Sequence, residues 1–162
     1  MTKYAIVGAE ESVGHEILSF MEEDGIKASN VFAVDVNAPL GTQVSYGEDA
    51  ELDVHNLETF DFSQVNAAVF ATTAEVAKRF IPKAVKAGVK VVDATGATFE
   101  DSDVPMIISG VNEAEIKKAS KGLVSIPSAA VTQMLIPLKA VHDKYKIKRV
   151  ISRCRKFGCQ RT

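Results

Sequence analysis

A glycine-bounded turn near the N-terminus is the first place in this sequence where residue types and spacing could do chemistry. Gly8 and Gly14 stand six residues apart, between an apolar run and a helix-period segment, with Ser12 and Val13 just before Gly14. Such turns hold the pyrophosphate of a dinucleotide, because glycines permit a tight turn and close approach while helix amides face the anion. The pattern predicts a phosphate cradle made of Gly8, Ser12, Val13 and Gly14.

Two carboxylates occupy the middle of this turn. Glu10 and Glu11 would repel a phosphate, and the Cβ of Glu11 would narrow its approach. Alternatively, both are first-turn acids that stabilise the helix dipole, with Ser12 assisting as a cap. The sequence leaves both interpretations open.

Asp35 is a candidate for binding a ribose. It ends the second apolar run, 27 residues after Gly8, where an acid accepts hydrogen bonds from the ribose 2′-hydroxyl. Because a carboxylate there disfavours a 2′-phosphate, any bound dinucleotide is predicted to be NAD rather than NADP. The alternative is a solvated loop aspartate.

The other reactive side chains form no catalytic or metal-binding constellation. His15, His55 and His142 have no nucleophile and acid arranged around them, so each is expected at the surface. Cys154 and Cys159 are five residues apart without a histidine partner, which matches no zinc spacing. We therefore predict no metal site.

The elements that must position these residues follow the rhythm of an α/β fold. Apolar runs alternate with helix-period segments, which predicts a Rossmann-like, doubly wound, mostly parallel sheet with helices on both faces. Segment 43–62 is predicted to form small strands and turns outside this pattern, and Pro137 is predicted to kink the last helix. The predicted strands cover 4–7, 31–34, 67–71, 89–93, 106–109, 123–125 and 149–151, and the predicted helices cover 13–24, 75–87, 113–120 and 129–145.

Composition and charge narrow the class of protein. At 162 residues, 46% hydrophobic and 25% charged, the chain suits one soluble domain with its own core. Its apolar stretches are shorter than the roughly 20 residues that span a bilayer, and no signal pattern opens the chain. We expect a cytoplasmic protein without a membrane partner.

The net charge of −2 hides an asymmetry along the chain. Residues 1–143 hold all 21 acids and 11 Lys/Arg, for −10, whereas residues 144–162 hold eight Lys/Arg and no acid, for +8. Basic tails can bind phosphates, but no nucleic-acid reader motif accompanies this one. The tail is expected to pair loosely with the acidic body.

Several segments together resemble the aspartate-semialdehyde dehydrogenase family. Their order holds from about residue 3 to 151, and the run 101–105 followed by 110–112 is the more specific part. The resemblance implies an NAD- or NADP-dependent enzyme that interconverts β-aspartyl phosphate and aspartate β-semialdehyde, on the route to lysine, threonine and methionine. It also implies that Thr72 and Thr73 lie in the cofactor-binding loop. The matching segments are 8–14, 93–97, 101–105, 110–112, 126–133, 138–143 and 147–150.

The nucleophile of that family is missing here. The family motif is Asn-Pro-Asn-Cys, and its cysteine opens a helix whose N-terminus lowers the thiol pKa for attack on the acyl carbon. Pro127 and Gln133 match, but Ala129 stands at the cysteine position. Ser128 stands where the family has Asn, lacks an activating base, and is predicted to cap the helix.

Further departures agree with this loss. The phosphate-binding Arg of the family aligns with Phe99, and the Glu of its Pro-Glu-Val-Asn motif aligns with Gly110. The loop 71–74 is bulkier than the small-residue loop of the family, and Glu11 replaces the middle glycine of the first turn. The resemblance therefore predicts a cysteine-less paralogue, a pseudoenzyme that retains the nucleotide-binding fold.

The C-terminal end predicts the domain organisation. The family continues after Ile151 into a second domain with an acid/base His, a substrate-binding Arg and the dimer interface, whereas this chain reads 152–162 and stops. We predict a dinucleotide-binding domain over 1–127, the helix and first strand of the second domain over 128–151, and a basic tail over 152–162, with the second domain largely absent. A shifted reading frame is one hypothesis for the tail, and a natural tail is the other.

Three functions are compatible with these observations. The first is a degenerate, non-catalytic dehydrogenase domain with weak or absent dinucleotide binding. The second is an interaction module or NAD-sensing protein, which forms a homo-oligomer or sticky monomer through the apolar surface that a missing domain would leave. The third is an enzyme that uses other residues.

Overall fold

Seven strands form one sheet in the computed structural model, which describes residues 1–36, 38–48 and 50–152. The strands are β1 (Tyr4–Val7), β2 (Val31–Asp35), β3 (Gln43–Tyr46), β4 (Ala50–Asn56), β5 (Ala67–Phe70), β6 (Lys90–Asp93) and β7 (Leu123–Ser125). Their order in the sheet is β3-β4-β2-β1-β5-β6-β7, and every neighbouring pair is parallel except β3 with β4. This confirms the predicted Rossmann-like, mostly parallel sheet.

Two helices cover opposite faces of the sheet, because alternate residues of each strand point to opposite sides. Leu18 of the first helix packs with Ile6 of β1 in one buried cluster, and Phe80 of the second helix packs with the neighbouring Ala5 in the other. The helices begin and end within a residue or two of the predicted positions. They are α1 (Ser12–Glu23), α2 (Ala74–Lys86) and α3 (Ala129–Tyr145), with 3₁₀ turns at Ala28–Asn30, Phe62–Gln64 and Glu113–Lys118.

Segment 43–62 was predicted to lie outside the main pattern, and this was wrong for β4. Ala33 of β2 pairs with Val54 of β4 in parallel register, so β4 belongs to the main sheet, and β3 pairs antiparallel on its outer side. Val54 and Leu52 point into the core between polar neighbours, which gives the strand its alternating sequence. A half-exposed strand near the sheet edge therefore looks like an isolated hairpin in the sequence.

The predicted strand over 106–109 does not form. One parallel bridge joins Met106 to Ser125. The side chain of Asn112 then forms hydrogen bonds with the backbone of this segment. Its Oδ1 accepts from the amide of Ile108 at 2.8 Å, and its Nδ2 donates to the carbonyl of Met106 at 2.9 Å. Asn112 thus closes a turn by binding an amide and a carbonyl that a strand would need for pairing with its neighbour.

Helix α3 runs unbroken through Pro137, and none of its residues is buried. The strand predicted over 149–151 is absent, since residues 146–152 have no strand partner within the described chain. The basic tail, with Cys154 and Cys159, lies outside the described residues. Among the helices of the described part, none is long and apolar enough to cross a membrane.

Candidate functional site: a cleft at the carboxyl end of the sheet

Gly8 and Gly14 hold the first turn close to the sheet. Gly8 has φ +90°, and a Cβ on it would lie 2.5 Å from the carbonyl oxygen of Ala71 at the end of β5. A Cβ on Gly14 would lie 2.0 Å from the carbonyl oxygen of Gly8. Both positions therefore require glycine, one for close approach to β5 and the other for packing α1 on the turn.

The observed start of α1 disagrees with the interpretation that Glu10 and Glu11 lie in the first turn of the helix. The helix begins at Ser12, so Glu11 occupies the N-cap position and Glu10 precedes it, and the first turn contains no acid. No side chain caps the helix, so the predicted cap by Ser12 is wrong. Because a helix leaves its first N–H groups without intrahelical partners, the amides of Ser12, Val13 and Gly14 are available to an acceptor beyond the helix end.

A cleft of about 220 Å³ adjoins this helix end. It lies between β1 and β5, where the chain switches from one side of the sheet to the other, which is where open α/β sheets bind ligands. Its lining brings together three separate loops at the carboxyl ends of β1, β5 and β6. The lining residues are Glu11, Ser12, Val13, Ala71, Thr72, Thr73 and Ala94.

Of the predicted cofactor residues, Ser12, Val13, Thr72 and Thr73 line this cleft directly. Thr72 is half-buried, whereas Thr73 is exposed and its Oγ1 accepts from the amide of Val76, which caps α2. The hydroxyl of Thr73 is therefore already used by the fold, and Thr72 has the freer side chain.

Asp35 lies on the other side of the first turn, at the end of β2 as predicted. Its Oδ2 accepts from the amide of Glu10 at 3.2 Å, and its Oδ1 accepts from the amide of Val36 at 2.7 Å. The carboxylate thus ties the turn to β2, and its half-buried position leaves acceptor capacity toward solvent.

Asp93 organises the third loop of the cleft, a role that the sequence analysis missed. Its side chain is fully buried and accepts four hydrogen bonds. The amide and hydroxyl of Thr95 donate to Oδ1 at 2.8 and 2.6 Å, and those of Thr98 donate to Oδ2 at 2.9 and 2.6 Å. The detectable signal is an acid at a strand end with threonines two and five residues later.

The loop after β7 brings the start of α3 to the same end of the sheet. The amide of Ile126 donates to the carbonyl of Asp93 at 2.9 Å, and Ala129 begins the helix three residues later with an exposed side chain. Ser128 takes the N-cap position, but its side chain accepts no capping hydrogen bond, so its predicted capping role is wrong. Its carbonyl, instead, accepts from the amides of Val131 and Thr132.

Phe99 and Gly110 stand where the resemblance implies an Arg and a Glu. Phe99 is 47% exposed, and its ring lies over Gly96. A Cβ on Gly96 would lie 3.1 Å from that ring. Gly110 lies in a turn at φ +74°, and its amide donates to Oε2 of Glu113 at 3.1 Å. Neither position offers a cation to a phosphate.

None of the three histidines is among the residues that line the cleft. His15 and His142 are exposed, as predicted, and His55 is exposed beside the rings of Phe32 and Phe60, 5.7 and 5.9 Å away. No group of three His, Cys, Asp or Glu within the described ranges could hold a metal ion.

Among residues 1–36, 38–48 and 50–152, four side chains have shifted pKa values, and none of them lines the cleft. Burial, then the charge of Glu22, raises the pKa of Tyr46. Hydrogen bonds from Ser63 lower the pKa of Asp61, a hydrogen bond to Asp103 raises that of Lys121, and a hydrogen bond from Lys139 lowers that of Asp143. These shifts belong to surface pairs and to the β3 region.

The chain is similar in sequence to a family of known proteins. Residues 3–119 match the family described as "Semialdehyde dehydrogenase, NAD binding domain". The chain is 34% identical over 147 residues to aspartate-semialdehyde dehydrogenase of Legionella pneumophila, covering 90% of this chain and 42% of that protein. It is 32% identical to the enzyme of Rickettsia conorii, covering 91% and 44%.

A solved structure gives the same result. Aspartate semialdehyde dehydrogenase II of Vibrio cholerae superposes with a TM-score of 0.81 at 29% identity, covering 88% of this chain and 46% of that one. The chain therefore spans less than half the length of the relatives that it matches.

Proposed function

Because the chain belongs to the aspartate-semialdehyde dehydrogenase family through its NAD-binding domain, we propose that it binds a nicotinamide nucleotide without catalysing the thiol-dependent reaction. Ala129 is the observation that carries this proposal. It begins α3 at the position that the resemblance gives to the family cysteine, and its exposed side chain comes three residues after Ile126, whose amide donates to the carbonyl of Asp93. A methyl group there forms no thioester.

The cleft residues fit a dinucleotide in three respects. The amides of Ser12, Val13 and Gly14 would face the pyrophosphate, Thr72 would contact the part of the ligand next to β5, and Asp35 would accept from a ribose hydroxyl. Gly8 and Gly14 support this arrangement, because side chains at either would push the turn away from the sheet. A bound nicotinamide would accept or donate hydride.

Asp35 favours NAD over NADP in this proposal. A 2′-phosphate would bring two negative charges against a carboxylate that is already held in place by the amides of Glu10 and Val36. The lining of the cleft contains no Lys or Arg to offset that repulsion.

Catalysis by a substitute nucleophile is not expected. The nearest hydroxyl to Ala129 along the chain is that of Ser128, and its side chain takes part in no hydrogen bond within the described residues. A serine nucleophile needs a base within hydrogen-bond reach. The third function, an enzyme that uses other residues, therefore lacks a candidate nucleophile.

A gain-of-thiol experiment tests the catalytic half. In a Cys154→Ser/Cys159→Ser background, the protein is expected to form no acyl adduct with β-aspartyl phosphate by intact mass spectrometry. Adding Ala129→Cys is expected to create an adduct, because a thiol at a helix N-terminus has a lowered pKa. An adduct on the background protein, or turnover of aspartate semialdehyde with NAD or NADP, would show the non-catalytic proposal to be wrong.

Isothermal titration tests the cofactor half. The protein is expected to bind NAD with heat that saturates at one site, and Gly8→Val is expected to abolish it, because the side chain would meet Ala71. Gly41→Val is a matched control, since Gly41 has a similar φ of +88° but nothing within 4 Å of a Cβ. Absence of binding at millimolar NAD would contradict the proposal.

Self-association is a second candidate function, and α3 is the observation that favours it. Five of its apolar or aromatic residues follow one another at intervals of three and four along the helix, and no residue of the helix is buried. Such spacing forms the seam of paired helices. The seam consists of Val131, Met134, Leu138, Val141 and Tyr145. We expect light scattering after gel filtration to detect a dimer that Leu138→Lys abolishes and exposed Lys144→Ala does not; a monomer throughout would exclude this candidate.

A further inference from the structure

A second groove lies beside α2, apart from the cleft at the start of α1. It runs between α2, the loop after β6 and the start of β7, and its volume is about 390 Å³. Since β7 is the last strand of the sheet, the groove lies at one sheet edge, and it shares no lining residue with the cleft. We call it the α2 groove, after the helix that supplies Lys78, Ile81, Pro82, Val85 and Lys86 to its lining.

The floor of the α2 groove is apolar. Ile81 and Leu123 are 4% and 6% exposed and belong to the same core cluster, against which the half-buried Val85 packs. Pro82 is exposed beside them. The floor is therefore held in place by the core of the domain, and a bound side chain would find an apolar surface already formed.

Two lysines border this apolar floor. Lys78, Pro82 and Lys86 are four residues apart in turn, so they lie in one row along α2. Both lysines are exposed, and neither forms an ion pair with the residues that the structure describes. A third lysine of the lining, Lys121, lies 3.0 Å from Asp103 and is thereby neutralised. The uncompensated positive charge of the groove is thus that of Lys78 and Lys86.

This positive charge stands out in an acidic domain. Residues 78–90 hold five of the 11 Lys/Arg of residues 1–143 and none of their 21 acids. The rest of residues 1–143 therefore carries six Lys/Arg against 21 acids, or −15. A positive surface on an otherwise negative domain directs an acidic partner to this face and repels it from the others.

The chemistry of the groove favours a polypeptide over a nucleic acid. Because Pro82 has no N–H, the carbonyl of Lys78 lacks the donor that residue 82 would otherwise supply within the helix. A peptide brings N–H donors for such a carbonyl, whereas phosphate groups bring acceptors alone. A phosphate backbone also gains nothing from an apolar floor.

From the charge and the floor together, we infer that the α2 groove is a docking surface for an acidic peptide segment of another protein, in which two carboxylates flank an apolar side chain. The carboxylates pair with Lys78 and Lys86, whose Cα atoms are about 12 Å apart at 1.5 Å per helical residue. The apolar side chain lies between them on the floor of the groove. This interaction is independent of the proposed nucleotide binding, because the two sites share no residue.

Selection of random dodecapeptides displayed on phage tests the inference with the full chain. Peptides are first removed on Lys78→Glu/Lys86→Glu, which keeps the basic tail, and the remainder is selected on the wild-type protein. The retained peptides are expected to carry acids on both sides of an apolar residue. By fluorescence anisotropy, such a peptide should bind the variant at least about tenfold more weakly than the wild type, and less tightly as salt is raised.

A charge swap and a matched control complete the test. The peptide with its two acids replaced by lysine should bind Lys78→Glu/Lys86→Glu more tightly than it binds the wild type. Lys27→Glu/Lys117→Glu makes the same change in net charge at exposed positions outside the groove, and it should alter the affinity of the acidic peptide by less than about twofold. Far-UV circular dichroism confirms that each variant is folded.

Three results would overturn the inference. The first is a retained set no richer in acids than the starting library, and the second is an equal loss of affinity in the control variant. The third is a different occupant: a 20-base single-stranded DNA that binds more tightly than the peptide, or a dimer of the chain that Lys78→Glu/Lys86→Glu dissociates. In each case titration of NAD would be unaffected, so the proposed function would stand or fall separately.

Discussion

The amide of Glu10 donates to Oδ2 of Asp35 at 3.2 Å, which joins the first turn to the end of β2 across 25 residues of chain. The same carboxylate is the predicted acceptor for a ribose hydroxyl. One side chain therefore holds the turn in position and is the proposed partner of the sugar of a ligand, and a substitution that keeps one acceptor oxygen can separate these two roles.

Asp35→Asn is that substitution. It retains an oxygen for the amide of Glu10 but removes the charge that repels a 2′-phosphate, so the preference for NAD over NADP should fall by about tenfold. Competition titration with the two dinucleotides measures the ratio. Asp24→Asn, exposed at the end of α1, is the control and should leave the ratio unchanged. An unchanged ratio in Asp35→Asn would exclude Asp35 from ligand selection.

Gly14→Ala should destabilise the fold by about 3 kcal/mol, because the new Cβ would lie 2.0 Å from the carbonyl oxygen of Gly8 and α1 would have to shift. Gly25→Ala is the matched control. Gly25 has φ +74° with nothing within 4 Å of a Cβ, so only backbone strain of about 1 kcal/mol is expected. Urea unfolding of both variants compares them. Equal losses would mean that α1 does not pack on Gly8 as described.

Asp93→Asn should cost about 3 kcal/mol of unfolding free energy, because an amide nitrogen would face the donors of Thr95 or Thr98 in a fully buried site. Asp61→Asn offers a control, since Asp61 makes the same kind of turn with Ser63 at the exposed surface. The unfolding free energy of Asp61→Asn is expected to fall by much less. Comparable losses for the two variants would show that burial adds nothing to the Asp93 network.

Tyr46 should make stability depend on pH in alkaline solution. Its hydroxyl donates to the carbonyl of Ile26 at 2.6 Å, and burial, followed by the charge of Glu22, raises its pKa above the ordinary value of 10.0. The neutral form is thus favoured by folding, so this contribution is fully present below the unfolded pKa and is lost as pH rises through the folded pKa.

Chemical unfolding between pH 8 and 11 measures this loss. Tyr46→Phe should cost about 1 kcal/mol at neutral pH, through the lost hydrogen bond, and should flatten the decline in alkali. Tyr145→Phe, 70% exposed at the end of α3, should leave the decline as in the wild type. A decline that persists unchanged in Tyr46→Phe would assign it to other groups.

Features that depend on neighbours along the chain could be predicted from the sequence. The first strand, the turn from Gly8 to Gly14 and the helix after it follow from local periodicity and from glycine conformation, and Asp35 was located at the end of β2 from spacing alone. The same local chemistry located Ala129 at the first position of α3.

Features that depend on distant partners were missed or left open. The membership of β4 in the main sheet depends on pairing Ala33 with Val54, 21 residues apart, and the failure of a strand at 106–109 depends on Asn112 reaching back to its backbone. The capping roles predicted for Ser12 and Ser128 were wrong, because residue type alone does not fix where a hydroxyl points.

The sequence by itself determined the first strand, the glycines of the turn and the start of α3 at Ala129, since each is a property of residue type and short-range spacing. Only the tertiary structure decided that Glu10 is engaged by Asp35 while Glu11 lies at the cleft, and that Asp93 holds a neighbouring loop. The physical reason is that the loops meeting at this edge come from strands that the sheet, rather than the sequence, makes neighbours.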